Sequence, residues 1–177
     1  QIVYYFYAAL KIGAPGKAIA FSVPTGNFGD IFAGYIASKM GLPVERLIIA
    51  TNENDVLHRV MQSGEYKKLF LKKTYSPSMD ISISSNFERL LFDLYERDGI
   101  LIDGMMDRFD EQGIDLNSLA MNHFRSLFSS RRVDDKETLQ QISDSWRNNG
   151  YLLDPHSAIG VKAVLKSNFS SNVPVVS

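Results

Sequence analysis

The strongest constraint on the fold is the alternation of short apolar runs with helix-period segments in the first half of the chain. Apolar, partly β-branched runs bounded by proline, glycine or polar residues indicate strands, and an apolar stripe that ends at glycine indicates a helix. The predicted order is a strand at 17–23, a helix at 30–40, a strand at 46–50, a helix at 54–62 and a strand at 69–74. This alternation predicts an α/β fold with an open, mostly parallel sheet and flanking helices, in which ligand-binding loops follow the strand ends.

The helix predicted at 30–40 combines a stripe of large apolar residues with a face of small ones. The small face, which is suited to close packing on a sheet, comprises Ala33, Gly34, Ala37 and Ser38. We therefore expect this helix to lie directly against the strands that flank it.

The second half of the chain is predicted to be mostly helical. Three helix starts are marked by capping residues, at Ser85 with Glu88, at Asp134 with Glu137, and at Asp154 with Pro155. The predicted helices cover 85–97, 101–112, 116–128, 135–149 and 155–166, and the final valines predict a strand. Since no repeat and no long linker interrupts the sequence, residues 1–177 are expected to be a single partial domain.

Composition argues against several classes of function. The chain has no cysteine, which excludes a disulfide scaffold, a thiolate metal site and a cysteine nucleophile. Its histidines, His58, His123 and His156, are too widely spaced for a zinc-binding motif. The formal net charge of −1 offers no field that would recruit nucleic acid or an anionic membrane. We therefore expect neither nucleic acid nor a membrane as a partner.

Both ends of the chain have the pattern of interrupted elements. Residues 1–10 are apolar nearly all round and have no initiator methionine, N-cap or basic signal region. They are also shorter than the roughly 20 residues that span a bilayer. We expect a buried helix there and a strand at 173–177, in a fragment truncated at both ends.

The segment whose residues suggest a chemical role is the glycine turn between the first predicted strand and the helix after it. Gly26 and Gly29 have no Cβ, so the main chain can turn tightly there and approach a ligand closely. A helix N-terminus adds about 0.3 to 2 kcal/mol for a negative group held near it. The pattern therefore predicts an anion-binding cradle built from the main-chain N–H groups of Asn27, Phe28, Gly29 and Asp30.

Other interpretations of this turn stay open. Asp30 lies in the first helical turn, where its carboxylate competes with an anion for the same dipole, so we expect its side chain to turn away. A glycine turn needed only for strand-to-helix packing is the alternative. The loop lacks the Gly-Lys-Ser/Thr of a P-loop and the Gly-x-Gly-x-x-Gly of a dinucleotide site. Ala50 and Thr51 stand where a nucleotide binder would carry an acidic residue, which disfavours that class.

The sequence Thr-Gly-Asn-Phe-Gly-Asp at 25–30 resembles the phosphate-binding loop of the threonine synthase family, which are fold-type II enzymes that use pyridoxal 5'-phosphate (PLP). The opening segment is also similar to the helix that follows the catalytic region in that family. Five further motifs resemble the family in its own order, at 41–44, 50–55, 78–81, 84–90 and 154–160. Together these motifs cover nearly the whole chain and are far more specific than any one of them.

The resemblance implies a cytoplasmic PLP-dependent lyase of threonine biosynthesis, which converts O-phospho-L-homoserine and water to L-threonine and phosphate. It also implies that the Schiff-base lysine precedes Gln1, because no lysine here has the family's Ser-Phe-Lys-Asp context. The fragment alone is then inactive, and its partner is the missing remainder of its own chain. A phospholyase that releases phosphate without making threonine, and a non-catalytic anion-binding domain, are the alternatives.

Site residues follow from the same resemblance. It assigns the cofactor phosphate to Gly26, Asn27, Phe28 and Gly29, with Thr25 and Asp30 as supports. Asn86 and Arg89 lie one helical turn apart and are candidates for the substrate phosphate, the alternative being a surface arginine beside a helix cap. Asn52, Asn54 and Asp55 follow a strand end, where active-site residues and helix caps both occur. His156 is expected to be structural.

Overall fold

The computed structural model describes residues 1–167 and 172–177. Its helices are α1 (Ile2–Lys11), α2 (Gly29–Lys39), α3 (Val56–Ser63), α4 (Phe87–Leu94), α5 (Gly99–Asp107), α6 (Phe109–Gln112), α7 (Ser118–Leu127), α8 (Asp135–Asn149) and α9 (Pro155–Leu165). Its strands are β1 (Ile19–Pro24), β2 (Val44–Thr51), β3 (Glu65–Tyr66), β4 (Ile114–Asp115), β5 (Phe128–Arg132) and β6 (Val175–Val176). A short 3₁₀ helix covers Pro77–Met79.

The main sheet has four strands in the order β5–β2–β1–β6, and every neighbouring pair is parallel. β1 and the second half of β2 are mostly apolar and almost entirely buried, as expected for strands covered on both faces. Because the strands are parallel, the loops that follow β1, β2 and β5 lie at one edge of the sheet. The predicted α/β class, with an open parallel sheet and flanking helices, is confirmed, as is a strand within the final valines.

The prediction of a strand at 69–74 is wrong. Main-chain groups in this segment bond to a side chain, since the Lys72 amide donates to Asn54 Oδ1 at 2.7 Å and Asn54 Nδ2 donates to Lys72 O at 2.8 Å. The apolar run that suggested a strand does not enter the core, because Phe70 is fully exposed. Side-chain bonds to the main chain replace a strand ladder here.

The third strand of the sheet is β5, which the sequence pattern does not predict, since the predicted helix at 116–128 ends at its first residue and 129–132 are assigned to no element. The helix ends at Leu127, and Phe128 begins the strand. Its sequence, Phe-Ser-Ser-Arg-Arg, has little β-propensity and no run of apolar residues. Pairing with β2 from Leu47 to Thr51 supplies the stabilisation, and this tertiary contact has no local signal.

Helices of the second half begin and end differently from the prediction in two places. The capping box at Ser85 and Glu88 is absent, because α4 starts after Asn86, whose side chain makes no capping bond. The helix predicted at 101–112 is divided into α5 and α6. The other two caps are present, with a complete capping box before α8 and an aspartate cap before α9.

The opening helix is confirmed as α1, but the prediction that it is buried on all sides is wrong. Tyr5 and Ala9 are buried, whereas Tyr4 and Tyr7 on the other face are exposed. The Tyr5 ring packs edge-on against Phe21 of β1, with 4.8 Å between ring centroids. No helix within the described ranges has the length and apolar character needed to cross a bilayer.

Gly34→Ala tests the close approach of neighbouring elements to the small face of α2. A Cβ at Gly34 would lie 2.6 Å from Cε1 of Tyr5 and 3.0 Å from Cδ2 of Leu47, both of which are buried. Because these side chains have little room to shift, we expect the free energy of unfolding of the intact protein to fall by about 1–3 kcal/mol in urea titrations.

Gly104→Ala is the matched control for that substitution. A Cβ at Gly104 meets no atom within 4 Å, and the residue lies inside helix α5. Alanine has the higher helix propensity, so this variant should be as stable as the parent or slightly more stable. An equal loss of stability in both variants would contradict the packing argument.

Candidate functional site

The glycine turn follows the carboxyl end of β1, and its central residue has a left-handed backbone. Phe28 has a φ of +68°, a conformation that is unfavourable for a residue other than glycine. Its side chain is buried and packs against Phe87 and Phe128, with ring centroids 5.2 and 5.8 Å apart. The aromatic core therefore holds Phe28 inwards in this conformation, and α2 begins with the next residue, Gly29.

Carbonyl groups of the turn are bonded to the protein, whereas its amides are not. Ser84 Oγ donates to Gly26 O at 2.8 Å, and Asn86 N donates to Asn27 O at 3.0 Å. Four main-chain N–H groups have no acceptor within the residues that the structure describes, those of Asn27, Phe28, Gly29 and Asp30. Adjacent unused donors at the start of a helix are the arrangement that binds an anion.

Both glycines of the turn are approached closely by other segments. A Cβ at Gly26 would lie 3.0 Å from Ser78 O and 3.4 Å from Met79 Cα. A Cβ at Gly29 would lie 3.1 Å from Asn86 Nδ2. A side chain at either position would therefore displace a wall of the turn. A phosphate group fits this cradle, because the turn combines unused amide donors with glycines at its two closest approaches.

Asp30 turns away from the amides of the turn, as predicted. None of these amides donates to its carboxylate within the described part of the chain, and the residue lines a cavity of about 220 Å³ with Tyr4 and Tyr5 of α1. The Tyr5 hydroxyl donates to Asp30 O at 2.9 Å. Burial raises the pKa of Tyr5, and partial desolvation beside α1 raises the pKa of Asp30. The carboxylate therefore leaves the cradle donors free for a ligand.

A second cavity, of about 640 Å³, lies between α2, α4 and α5. Asn86 and Arg89 both line it, opposite Phe32 and Ile36 of α2. Arg89 is exposed, and its side chain has no hydrogen bond or ion pair with any residue that the structure describes. Since Asn86 Nδ2 also adjoins Gly29, this residue lies between the cradle and the cavity. The structure thus brings Asn86 to the predicted loop and Arg89 to the space beside it.

Asn52 and Asn54 belong to a buried hydrogen-bond network. They neither cap a helix nor line an open loop. Asn52 Nδ2 donates to Thr74 Oγ1 and to Asp80 Oδ1, each at 2.9 Å. Asn54 Nδ2 donates to Asp80 Oδ1 at 2.8 Å, and the Thr74 amide donates to Asp80 Oδ2 at 2.9 Å. Asp80 therefore ties the segment that contains Ser78 to the carboxyl end of β2.

Sequence reasoning missed the residues that fasten and wall the turn. Ser84 bonds the Gly26 carbonyl, while Ser78 and Met79 lie against Gly26 itself. These contacts join segments far apart in the chain, so no periodicity or spacing signals them. The available hint was that Ser84 and Ser78 lie in motifs of the resemblance, which gave no role to either residue.

Comparison with curated proteins finds threonine synthases along the whole chain. The chain is 53% identical over 177 residues to the threonine synthase of Pseudomonas aeruginosa, covering 99% of this chain and 38% of that protein. It is 40% identical over 190 residues to the threonine synthase of Schizosaccharomyces pombe, covering 94% of this chain and 37% of that protein. No family model matches the chain. The chain spans less than two fifths of the length of these curated relatives.

Solved structures give the same result. The PLP-bound threonine synthase of Brucella melitensis superposes with a TM-score of 0.95 at 51% identity, covering 99% of this chain and 38% of that one. Yeast threonine synthase gives a TM-score of 0.94 at 38% identity, covering 100% of this chain and 39% of that one. Maize serine racemase, at 16% identity and a TM-score of 0.61, shares the fold alone. The resemblance predicted from the motifs is confirmed.

Proposed function

We propose that this chain, a segment of the threonine synthase family, comes from an intact protein that converts O-phospho-L-homoserine and water to L-threonine and phosphate. The observation that carries the proposal is the row of unused amides at residues 27–30, beside glycines that allow close approach. Activity is assigned to the intact cytoplasmic protein, and the 177 residues alone are expected to be inactive. They are proposed to form part of its large PLP-binding domain.

The turn is proposed to hold the phosphate of PLP. When bound, PLP supplies an electron sink that stabilises negative charge on substrate carbons. In this chain, the amides of Asn27, Phe28 and Gly29 would donate to phosphate oxygens, and the positive end of the α2 dipole would stabilise the same charge. Phe28, anchored in the aromatic core, keeps the turn in shape before the ligand arrives. Proton transfer is assigned to a lysine in the remainder of the intact protein.

Asn86 and Arg89 are proposed to bind the phosphate of the substrate. Both line the 640 Å³ cavity, and Asn86 also adjoins the cradle, so a ligand there would lie next to the cofactor. A guanidinium binds phosphate oxygens in a bidentate manner, and that of Arg89 has no competing partner among the described residues. The two phosphates are thus bound by different groups of the same site.

Arg89→Ala in the intact protein is expected to raise the KM for O-phospho-L-homoserine by about tenfold or more, because a charge-assisted contact is lost. The dissociation constant for PLP should change much less, since the cradle is intact. Steady-state kinetics and a PLP titration measure the two effects. Arg147→Ala, on an exposed arginine of α8, is the matched control. A KM for O-phospho-L-homoserine equal to that of Arg147→Ala would show that Arg89 is an ordinary surface residue and does not bind the substrate phosphate.

Product analysis of the intact protein with PLP and O-phospho-L-homoserine tests the proposed activity. Threonine and phosphate released in equal amounts support a threonine synthase. Phosphate without threonine would identify a phospholyase instead. Absence of turnover together with absence of PLP binding would leave a non-catalytic anion-binding domain.

A further inference from the structure

The motif that begins at Asp154 places a histidine beside the phosphate-binding turn. Asp154 caps α9, because its Oδ1 accepts from the His156 amide at 2.9 Å. Further along the motif, Gly160 O accepts from Ser22 Oγ at 2.7 Å, and a Cβ at Gly160 would lie 3.2 Å from Pro24 Cγ. Helix α9 is therefore fixed against β1, the strand that leads into the turn.

His156 uses both of its ring nitrogens. Nδ1 lies 3.0 Å from Asp154 Oδ1, and Nε2 lies 3.3 Å from the main-chain N of Ser78. Because the Ser78 amide can only donate, Nε2 is the acceptor and Nδ1 carries the proton that is donated to Asp154. Hydrogen bonds from Ser157 and His156 lower the pKa of Asp154 to about 2, so its carboxylate is charged and selects this tautomer.

Ser78 is the point at which His156 reaches the cradle. The Ser78 carbonyl lies 3.0 Å from the Cβ position of Gly26 and forms one wall of the turn. On the other side, the network centred on Asp80 ties the same segment to Asn52. The segment that contains Ser78 is therefore held from two sides, by the buried network of Asp80 and by His156 of α9.

We propose that His156 is a positioning residue for the phosphate-binding turn. By accepting from the Ser78 amide, it holds the Ser78 carbonyl against Gly26 and so sets the geometry of the amides that follow. The inference rests on the proposed function of the turn. It predicts an effect confined to the phosphate end of PLP, because the wall adjoins Gly26 and is separate from the cavity lined by Arg89.

Two substitutions at His156 separate its hydrogen bond from its bulk. His156→Phe keeps a ring and removes both bonds, whereas His156→Gln retains an acceptor for the Ser78 amide. Titrations of the intact apoprotein measure Kd for PLP and for pyridoxal, which lacks the phosphate. We expect His156→Phe to raise the Kd for PLP about threefold to tenfold and that for pyridoxal less than about twofold. His156→Gln should stay near the parent in both titrations.

His123→Phe is the matched control, because His123 is an exposed histidine of α7 without a side-chain hydrogen bond among the described residues. A Kd for PLP in His156→Phe equal to that in the control would overturn the proposal. An equal rise for PLP and pyridoxal would also overturn it, since His156 would then support the fold in general. If His156→Phe does not fold, His156→Asn, whose side chain is too short to reach Ser78, takes its place.

The ³¹P resonance of bound PLP supplies a readout independent of affinity. We expect it to shift in His156→Phe and to stay at the parental position in His156→Gln. An unshifted resonance in His156→Phe would overturn the proposal. Failure of the proposed function can be distinguished from failure of the His156 proposal. If the turn does not bind the phosphate of PLP, the parent protein itself would bind PLP no more tightly than pyridoxal.

Discussion

Replacing Gly29 with valine in the intact protein is expected to weaken PLP binding by about 150-fold or more, because roughly two charge-assisted hydrogen bonds of at least about 1.5 kcal/mol each are lost. A Cβ at Gly29 would lie 3.1 Å from Asn86 Nδ2, so a branched side chain displaces Asn86 and fills the space in front of the amides. Asn27 and Phe28 keep their amides, but a phosphate can no longer approach them. The measurement is the dissociation constant from a PLP titration of the apoprotein, with the PLP retained after gel filtration as a second readout.

Gly104→Val controls for the cost of placing valine in a helix. A Cβ at Gly104 has no neighbour within 4 Å, and the residue lies in α5, which does not contribute residues to the glycine turn. This variant should bind PLP as the parent does. If Gly29→Val also retained parental affinity while folding normally, the main-chain cradle at residues 26–30 would be the wrong site.

Asn52→Ala is expected to lower the free energy of unfolding by about 3 kcal/mol, because it removes several buried hydrogen bonds and leaves the buried Asn54 amide without its acceptor. Asn52 is buried, and its Nδ2 donates to Thr74 and Ser76 as well as to Asp80, while its Oδ1 accepts from the Asn54 amide. Thr74, Ser76 and Asp80 keep bonds to one another, but alanine leaves a space at the end of β2. Urea unfolding of the intact protein, followed by far-ultraviolet circular dichroism, gives the difference.

Asn148→Ala is the matched control, because Asn148 is an exposed asparagine of α8 that does not belong to the buried network. Asn148→Ala should change the free energy of unfolding by less than about 0.5 kcal/mol. Since Asp80 also holds the wall beside Gly26, Asn52→Ala should weaken PLP binding too. A loss of stability no larger than that of Asn148→Ala would show that the network contributes little.

The elements with strong local signals were predictable from the sequence. Strand β1 is a mostly apolar run, α2 combines a small face with a glycine start, and α8 has a complete capping box between Asp134 and Glu137. Each of these is determined by the residues of the element itself. By contrast, β5 has two serines and two arginines, and it becomes a strand because β2 offers it a partner. Tertiary pairing overrides propensity there, so no local pattern reveals it.

The site was predictable in part for the same reason. Glycines flanking Asn27 and Phe28 at a strand end indicated a place where the main chain meets an anion. The left-handed conformation of Phe28 was not predictable, because it depends on Phe87 and Phe128 from two other segments. Nor was the wall at Ser78, which lies against Gly26, bonds to His156 and belongs to a segment tied to Asn52 by Asp80. Spacing identifies the donors, and long-range contacts determine where they point.

A crystal structure of the intact protein grown with PLP tests the central claim most directly. We expect phosphate oxygens within about 3.2 Å of the main-chain nitrogens of Asn27, Phe28 and Gly29, with the Gly26 carbonyl still bonded to Ser84. A cofactor whose phosphate is bound elsewhere, with these three nitrogens facing solvent or protein, would contradict the account.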